Sequence, residues 1–179
     1  MREHIEEVLF SETQVVEKVK ELAVQISKDY QDKNLVVVGV LKGSVVFTSE
    51  LIKYITVPCE LDFMSVSSYG NSAETSGVVR ILKDLDSDIE GKDILIVEDI
   101  VDTGLTLNYL LKILRDRKAQ SIEIVSLLNK PARRKADIEV KYYGFEVPDE
   151  FIVGFGIDYA EKYRNLPFIG TLKREIYNK

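Results

Sequence analysis

Apolar residues follow two patterns that alternate along the chain, helical spacing and short continuous runs. Helical spacing predicts a helix over residues 12–30, carried by Val15, Val16, Val19, Leu22, Ala23 and Ile26. Ser11 and Gln14 fit a capping box at its start. Short β-branched runs at 35–40 and 93–98 are too brief for helices and predict buried parallel strands. The alternation is typical of an α/β protein with a mainly parallel twisted sheet flanked by helices.

Weaker patterns complete this organisation. Further helices are expected at 44–55 and 105–117, and further strands at 57–67, 79–83, 121–127, 138–142 and 151–153. The polar, glycine-bearing stretch 67–77 predicts a mobile loop. Because no repeat or Pro/Gly-rich linker interrupts the 179 residues, a single domain spanning 1–179 is expected.

Composition narrows the class of protein. Hydrophobic residues make up 45% and charged residues 30%, as in ordinary globular proteins. The net charge of −6 disfavours a nucleic-acid binder and attachment to an anionic membrane. The first ten residues carry no signal-peptide pattern, and no run of about 18 apolar residues occurs. A cytoplasmic location without membrane or nucleic-acid partners is expected.

Two residue types are almost missing, and this excludes several kinds of site. His4 is the single histidine and Cys59 the single cysteine. An intramolecular disulfide and a Cys/His zinc cluster are therefore impossible. A Ser-His-Asp triad would need His4, which is expected to lie on a frayed terminus. Any metal must be bound by carboxylates and substrate oxygens, which favours Mg²⁺, Mn²⁺ or Ca²⁺.

Carboxylates and hydroxyls cluster where the second apolar strand ends. Glu98 and Asp99 close the strand, Asp102 follows, and a turn made of Thr103, Gly104, Leu105 and Thr106 opens the next helix. Asp102 or Thr103 could simply cap that helix. Capping does not explain two adjacent carboxylates at a strand end, because they repel each other and need a cation or hydroxyl donors.

A functional interpretation accounts for the whole cluster. The turn and the free amides of the helix would form an anion cradle, in which Gly104 lets the backbone approach closely. A phosphate bound there would bring a sugar to Glu98 and Asp99, which can accept hydrogen bonds from vicinal hydroxyls. The pattern favours a phosphorylated ribose, and no Walker or GxGxxG sequence offers another nucleotide cradle.

The segment 97–106 resembles the phosphoribosyl-pyrophosphate motif of the type I phosphoribosyltransferases. Over roughly residues 10–175 the chain is similar to the members of that family that act on 6-oxopurines. The resemblance implies the type I phosphoribosyltransferase fold, with a small hood near the C-terminal segment and a mobile closing loop. Further similar segments are Leu41-Lys42-Gly43, Ser68-Tyr69, Lys130, and Gly154–Tyr159 with Arg164.

The resemblance also implies a reaction and roles. Pyrophosphate would leave C1 of the ribose as hypoxanthine or guanine attacks, giving IMP or GMP. Asp102 would be the general base, and Mg²⁺ would be held by Glu98, Asp99 and Asp158. The ribose and its 5′-phosphate would be bound by Glu98, Asp99, Asp102, Thr103, Gly104, Leu105 and Thr106. Pyrophosphate would contact Leu41, Lys42, Gly43 and Arg164. The purine would contact Lys130, Phe151, Ile152 and Asp158, while Ser68 and Tyr69 would begin the closing loop.

Simpler interpretations stand beside several of these roles. Lys130 could be a solvated surface group, Phe151 plain core, Asp158 a turn residue, and Arg164 the partner of Glu161 in a surface ion pair. Residues 133–135 are expected to form a solvated basic turn, although one arginine could face an interface or a phosphate. The family carries a non-proline cis peptide in the 41–43 loop, which the sequence itself does not reveal.

Two other function classes are weighed against this one. A regulator that senses phosphoribosyl pyrophosphate should show a basic face or an added DNA-binding domain. The net charge and the length of the chain argue against it. A xanthine-preferring relative is not separated by the pattern. A homo-oligomer, dimer or tetramer, is expected.

Overall fold

A six-stranded sheet forms the centre of the computed structural model, which describes residues 1–68 and 79–178. The strands are β1 (Ile5–Phe10), β2 (Leu35–Leu41), β3 (Cys59–Ser68), β4 (Val79–Lys83), β5 (Asp93–Val101), β6 (Ser121–Asn129), β7 (Tyr142–Glu146), β8 (Ile152–Val153) and β9 (Ile169–Leu172). The helices are α1 (Glu12–Asp29), α2 (Val45–Ile52), α3 (Leu105–Asp116) and α4 (Arg174–Tyr177). The central sheet has the order β4-β3-β2-β5-β6-β7, and only β4 is antiparallel to its neighbour.

Helices cover both faces of this sheet, which explains the continuous apolar runs of its inner strands. Along β2, Val37 packs with the buried side of α1 and α2, whereas Val36 and Val38 pack with α3. Strand β5 divides its residues in the same way, with Leu95 on one side and Ile96 on the other. Successive side chains on a strand point to opposite faces, so both faces of these strands must be apolar. The predicted parallel α/β architecture is confirmed.

A second, three-stranded antiparallel sheet of order β1-β9-β8 forms the hood. It uses the N-terminal strand as well as the expected C-terminal segment. The expectation of a frayed N-terminus is wrong, because Ile5–Phe10 pairs with Ile169–Leu172 and His4 Nδ1 lies 2.8 Å from the Tyr163 hydroxyl. A strand that is mixed in polarity and pairs only with the far end of the chain leaves no periodic signal.

Most element boundaries agree with the sequence to within a few residues, and the capping box of Ser11 and Gln14 is present. One strand was misplaced. The strand expected at 138–142 begins only at Tyr142, which pairs with Val125 of β6. Ile138 and Val140 instead pack as irregular chain against the core on the α3 side. An apolar alternation can therefore mark packing without ladder pairing.

Strand β3 ends beside the start of β4, at the position of the expected closing loop. Ser68 pairs with Val79, and the loop interior with Tyr69 lies outside the described residues. Within 1–68 and 79–178, no helix is long and apolar enough to cross a membrane.

Candidate active site

A phosphate-sized cradle lies where β5 turns into α3. Gly104 takes a left-handed conformation (φ 76°), and a Cβ atom there would lie 2.8 Å from Ile138 Cδ1. The adjoining cavity of about 120 Å³ is lined by Glu98, Ile100, Val101, Asp102, Thr103, Gly104, Thr106 and Leu107. The free amides at the start of α3 could donate hydrogen bonds to an anion in this turn.

Asp102 does not cap α3, since the N-cap position is Gly104. Within the described chain, its Oδ1 atom is buried and receives no well-aligned hydrogen bond. Arg133 Nε lies 3.1 Å from this oxygen, so the contact is an ion pair without directed hydrogen-bond geometry. The backbone carbonyl of Asp102 accepts from Arg134 Nε at 3.2 Å. Asp102 is therefore held on two sides at the mouth of the cradle.

Glu98 and Asp99 leave β5 in opposite directions, as neighbours on a strand must. Glu98 is buried beside the cradle, and burial, followed by the charge of Asp99, raises its pKa well above the usual range. Burial also raises the pKa of Asp99 to about 6, and the charge of Asp158 adds to the rise while Arg164 opposes it. The two carboxylates do not form the single acidic pair that their adjacency suggested.

Asp99 faces the turn formed by Leu41, Lys42 and Gly43. A Cβ atom on Gly43 would lie 1.9 Å from Asp99 Oδ2, so only glycine allows this approach. The peptide bond between Leu41 and Lys42 is cis. The turn packs in addition against the C-terminal segment, because a Cβ atom on Gly156 would lie 2.2 Å from the Gly43 carbonyl oxygen.

The groups expected to bind pyrophosphate gather beside this turn. Arg164 Nη2 lies 2.8 Å from Asp158 Oδ1 and 3.4 Å from Glu161 Oε1. Lys42 Nζ lies 2.9 Å from Glu161 Oε2. The simpler interpretation of Arg164, a pair with Glu161, is thus present but secondary to the shorter contact with Asp158. Asp158 Oδ2 also accepts the backbone N–H of Glu161 at 2.8 Å.

A larger cavity of about 790 Å³ lies under the hood, with Lys130, Phe151 and Ile152 in its wall. Lys130 is only 7% exposed, so it is not a solvated surface group. Its Nζ donates to the Glu150 carbonyl at 2.7 Å and reaches Asp149 Oδ1 at 3.5 Å. Phe151 is 49% exposed, so it is not plain core.

The aromatic wall of this cavity extends beyond Phe151. Its ring lies 4.2 Å from that of Tyr177 between centroids and makes an edge contact with Tyr159 at 5.8 Å. Tyr177 lines the cavity as well.

The basic turn after β6 is exposed at Arg133, as expected, although this residue also lines the cavity, whereas Arg134 is partly buried. Arg134 Nη2 donates to Asn129 Oδ1 at 2.5 Å, in addition to the contact of Nε with the Asp102 carbonyl. Arg133 pairs with Asp102 and, through Nη1 at 3.3 Å, with Asp149. Lys135 remains exposed.

The two cavities meet, since Ile100 and Asp102 line both of them. A ligand in the cradle and a ligand under the hood would therefore both lie next to Asp102. This juxtaposition is what a transfer between two bound substrates requires.

The donor set near Asp99 suits a hard cation that also binds substrate. Among the described residues, no group of three or more His, Cys, Asp or Glu side chains could hold a metal by itself. Burial, with a small addition from the charge of Asp158, raises the pKa of Asp99, and a bound cation would stabilise the charged carboxylate. Mg²⁺ commonly takes one or two carboxylates and completes its shell with water and phosphate oxygens. Asp99 and Asp158 fit that pattern, whereas Glu98, the third expected ligand, lies on the cradle side of the strand.

Sequence reasoning missed several residues that the structure brings to the site. Arg133 and Asp149 join Lys130 at the cavity, and Tyr177 and Glu6 arrive from the two ends of the chain. An arginine after a strand or an acidic residue in a turn is too common to stand out. Tyr177 gave the one available signal, an aromatic residue in a largely polar C-terminal segment.

Comparison with known proteins agrees with this geometry. The sequence profile of the phosphoribosyl transferase domain matches residues 7–160. The chain is 57% identical to hypoxanthine-guanine phosphoribosyltransferase of Bacillus subtilis over 99% of its length and 98% of the relative's. It is 56% identical to the Staphylococcus aureus enzyme of that name, with 99% of both chains covered.

Solved structures give the same result. The crystal structure of a hypoxanthine phosphoribosyltransferase from Staphylococcus aureus superimposes with a TM-score of 0.98 at 55% identity, covering 100% of this chain and 97% of the other. The chain belongs to the phosphoribosyltransferase family. It is a transferase enzyme that acts on small molecules, and the type I fold expected from the motif is confirmed.

Proposed function

We propose that this enzyme transfers the 5-phosphoribosyl group of phosphoribosyl pyrophosphate to N9 of hypoxanthine or guanine. The products would be IMP or GMP and pyrophosphate, so the reaction is one of purine salvage. The relatives that cover almost the whole chain carry this activity in their names. The observation that carries the proposal is the position of Asp102 between the phosphate cradle and the cavity under the hood.

The cradle suits the phosphorylated ribose. Amides at the start of α3 and the hydroxyls of Thr103 and Thr106 offer donors to the 5′-phosphate. Glu98 lines the same cavity and offers carboxylate oxygens to the ribose hydroxyls. The pyrophosphate would then extend toward the turn 41–43, where Lys42 and Arg164 supply positive charge.

The cavity under the hood suits a 6-oxopurine. The Lys130 ammonium has three N–H donors, and the Glu150 carbonyl and Asp149 engage two of them. The third can donate to an oxo group at C6 of the purine. Phe151 offers a ring face for stacking, and the backbone of Ile152 offers polar groups at the rim.

In the reaction, a purine ring nitrogen forms a bond to C1 of the ribose as the bond from C1 to the pyrophosphate oxygen breaks. The electron pair leaves with pyrophosphate, and the proton released by the purine passes to the Asp102 carboxylate. Transfer through an ordinary carboxylate is easiest when it is concerted with bond formation. The protein otherwise contributes position and fixed charge.

Mg²⁺ fits the carboxylates beside the pyrophosphate site, with Asp99 and Asp158 as candidate ligands. When bound, it would neutralise charge on the pyrophosphate oxygens.

We further propose a homo-oligomer, dimer or tetramer, working in the cytoplasm. Closed symmetric assembly is the rule for soluble homo-oligomers. Cys59 is the single cysteine, so the fold needs no oxidising compartment. Light scattering of the purified protein tests the assembly, and a monomer would refute it.

The activity is tested by turnover of hypoxanthine, guanine, xanthine and adenine with phosphoribosyl pyrophosphate and Mg²⁺. Formation of IMP and GMP at specificity constants well above those for xanthine and adenine is expected. A preference for xanthine would identify a different purine acceptor, and no turnover with any base would refute the proposal.

A further inference from the structure

Arg133 binds the one oxygen of Asp102 that the fold has buried. The residue ends the 3₁₀ turn Pro131–Arg133, directly after Lys130. Its Nε lies 3.1 Å from Asp102 Oδ1, an atom shielded from solvent. A buried carboxylate oxygen needs a positive or donating partner, and Arg133 provides it. Oδ2 is left as the oxygen that Asp102 can present to a ligand in the cavity.

The same guanidinium reaches a second carboxylate across the cavity. Arg133 Nη1 lies 3.3 Å from Asp149 Oδ1, and Lys130 Nζ lies 3.5 Å from that same oxygen. Asp102, Arg133, Asp149 and Lys130 thus form a continuous chain of opposite charges. Its two ends are the proposed proton acceptor and the proposed purine-recognising lysine, and all four residues line the cavity.

We propose that Arg133 is a positioning residue for the transfer reaction. It fixes the Asp102 carboxylate through Oδ1, so that Oδ2 receives the purine proton, and it sets the distance between Asp102 and Lys130. The inference rests on the proposed function of Asp102 as proton acceptor. A rigid planar fork can bind two carboxylates at once, which an ammonium group on a flexible stem does poorly.

Replacing Arg133 should change the catalytic rate rather than the stability of the fold. Arg133 and Asp149 are about half exposed, and exposed ion pairs contribute little to folding. Misplacement of a reacting group by about 1 Å can, however, lower a rate by about 10²-fold. Arg133 does not line the phosphate cradle, so binding of phosphoribosyl pyrophosphate should be unaffected.

The first test compares Arg133→Gln and Arg133→Lys with the wild-type enzyme. For Arg133→Gln we expect kcat with hypoxanthine to fall about 10- to 100-fold, while the KM for phosphoribosyl pyrophosphate changes less than about twofold. Arg133→Lys should recover only part of the loss. Arg115→Gln removes the same charge from an exposed position on α3 and should leave kcat and Tm unchanged.

The second test is a double-mutant cycle with Asp102→Asn. If Arg133 acts through Asp102, Arg133→Gln should lower kcat by less than about twofold once Asp102 is replaced, because coupled residues are not additive. A merely structural residue would lower kcat by the same factor in both backgrounds. The Tm of each variant is measured to verify that folded proteins are being compared.

The outcomes separate this inference from the proposed function. If Asp102→Asn turns over like wild type, Asp102 is not the proton acceptor and the proposed mechanism fails. If Asp102→Asn is slow but Arg133→Gln keeps or raises kcat, only the role of Arg133 is refuted. Equal losses from Arg133→Gln in both backgrounds, or a fall in Tm that accounts for the lost activity, would also refute it.

Discussion

Lys130 is the residue through which the cavity should distinguish an oxo group from an amino group on the purine. Its side chain is buried, and its ammonium already donates to the Glu150 carbonyl at 2.7 Å and contacts Asp149 at 3.5 Å. The remaining donor can bond to the oxygen of hypoxanthine. It would oppose the amino group of adenine, donor against donor. Replacing Lys130 with Gln removes this asymmetry, because the amide carbonyl can turn toward an amino group.

The expected size of the change follows from these contacts. A hydrogen bond from a charged group contributes about 1.5–3 kcal/mol, and an unpaired buried donor costs about 1–3 kcal/mol. With hypoxanthine, the variant loses part of the stabilisation from the charged hydrogen bond. With adenine, it avoids part of the cost of the unpaired buried donor. Since glutamine keeps some hydrogen bonding, we expect a net change of about 1.4–2.8 kcal/mol, which corresponds to about 10- to 100-fold.

The measurement is the ratio of kcat/KM for hypoxanthine to kcat/KM for adenine. A ratio is the right quantity, because any general loss from the broken contact with Glu150 affects both bases and cancels. Lys135→Gln is the matched control, since it removes the same charge five residues away from an exposed side chain. The control ratio should equal that of the wild type.

An undiminished ratio in Lys130→Gln would refute the argument. Selectivity would then lie elsewhere, most directly in backbone groups near Ile152, which lines the same cavity. A fall in the control ratio of the same size would show that overall charge, rather than the buried donor, changes the selectivity.

Three further predictions concern the ribose and pyrophosphate side of the site. Asp99→Ala and Glu98→Ala should each weaken binding of phosphoribosyl pyrophosphate by about 10- to 150-fold, which corresponds to one charge-assisted hydrogen bond. If calorimetric titration gives the wild-type affinity for both variants, the two carboxylates have only a structural role. Asp102→Asn should lower kcat by about 10²–10⁴-fold with much less effect on substrate binding, and a change within a few-fold in single-turnover assays would remove it from the mechanism. Exhaustive chelation should abolish turnover, and Mg²⁺ alone should restore it; full activity without a divalent ion would exclude a metal role for Asp158.

The sheet was predictable because its signal is local. Buried strands β2 and β5 are apolar on both faces, and α1 carries both its capping box and its apolar stripe within its own residues. Strand β1 was missed because its pairing with Ile169–Leu172 is a property of the fold rather than of the segment. The strand expected at 138–142 was misplaced for the same reason, since pairing with β6 decided its position.

The candidate site was likewise predictable only where its residues are neighbours in the sequence. Glu98, Asp99 and Asp102 were found because they lie together in sequence at a strand end, where ligands bind in such sheets. Strand geometry predicts that the side chains of Glu98 and Asp99 point to opposite faces of the sheet. The groups that each side chain contacts there could not be predicted from the sequence. The contacts of Arg133 with Asp102 and Asp149 join segments far apart in sequence, and no residue type in them is unusual.

The hood joins two strands that lie far apart in the sequence, and this has a consequence for how the enzyme matures. Strand β1 is synthesised early but pairs with β9, which is synthesised much later. Closing so long a loop is entropically costly and slow, so contacts of this kind form late in folding. The central sheet and the phosphate cradle can therefore assemble on the growing chain before the cavity that holds Lys130 and Phe151 is complete. During this interval the nascent enzyme should bind the sugar phosphate but not the base, and the pairing of β1 with β9 should mark the onset of purine binding.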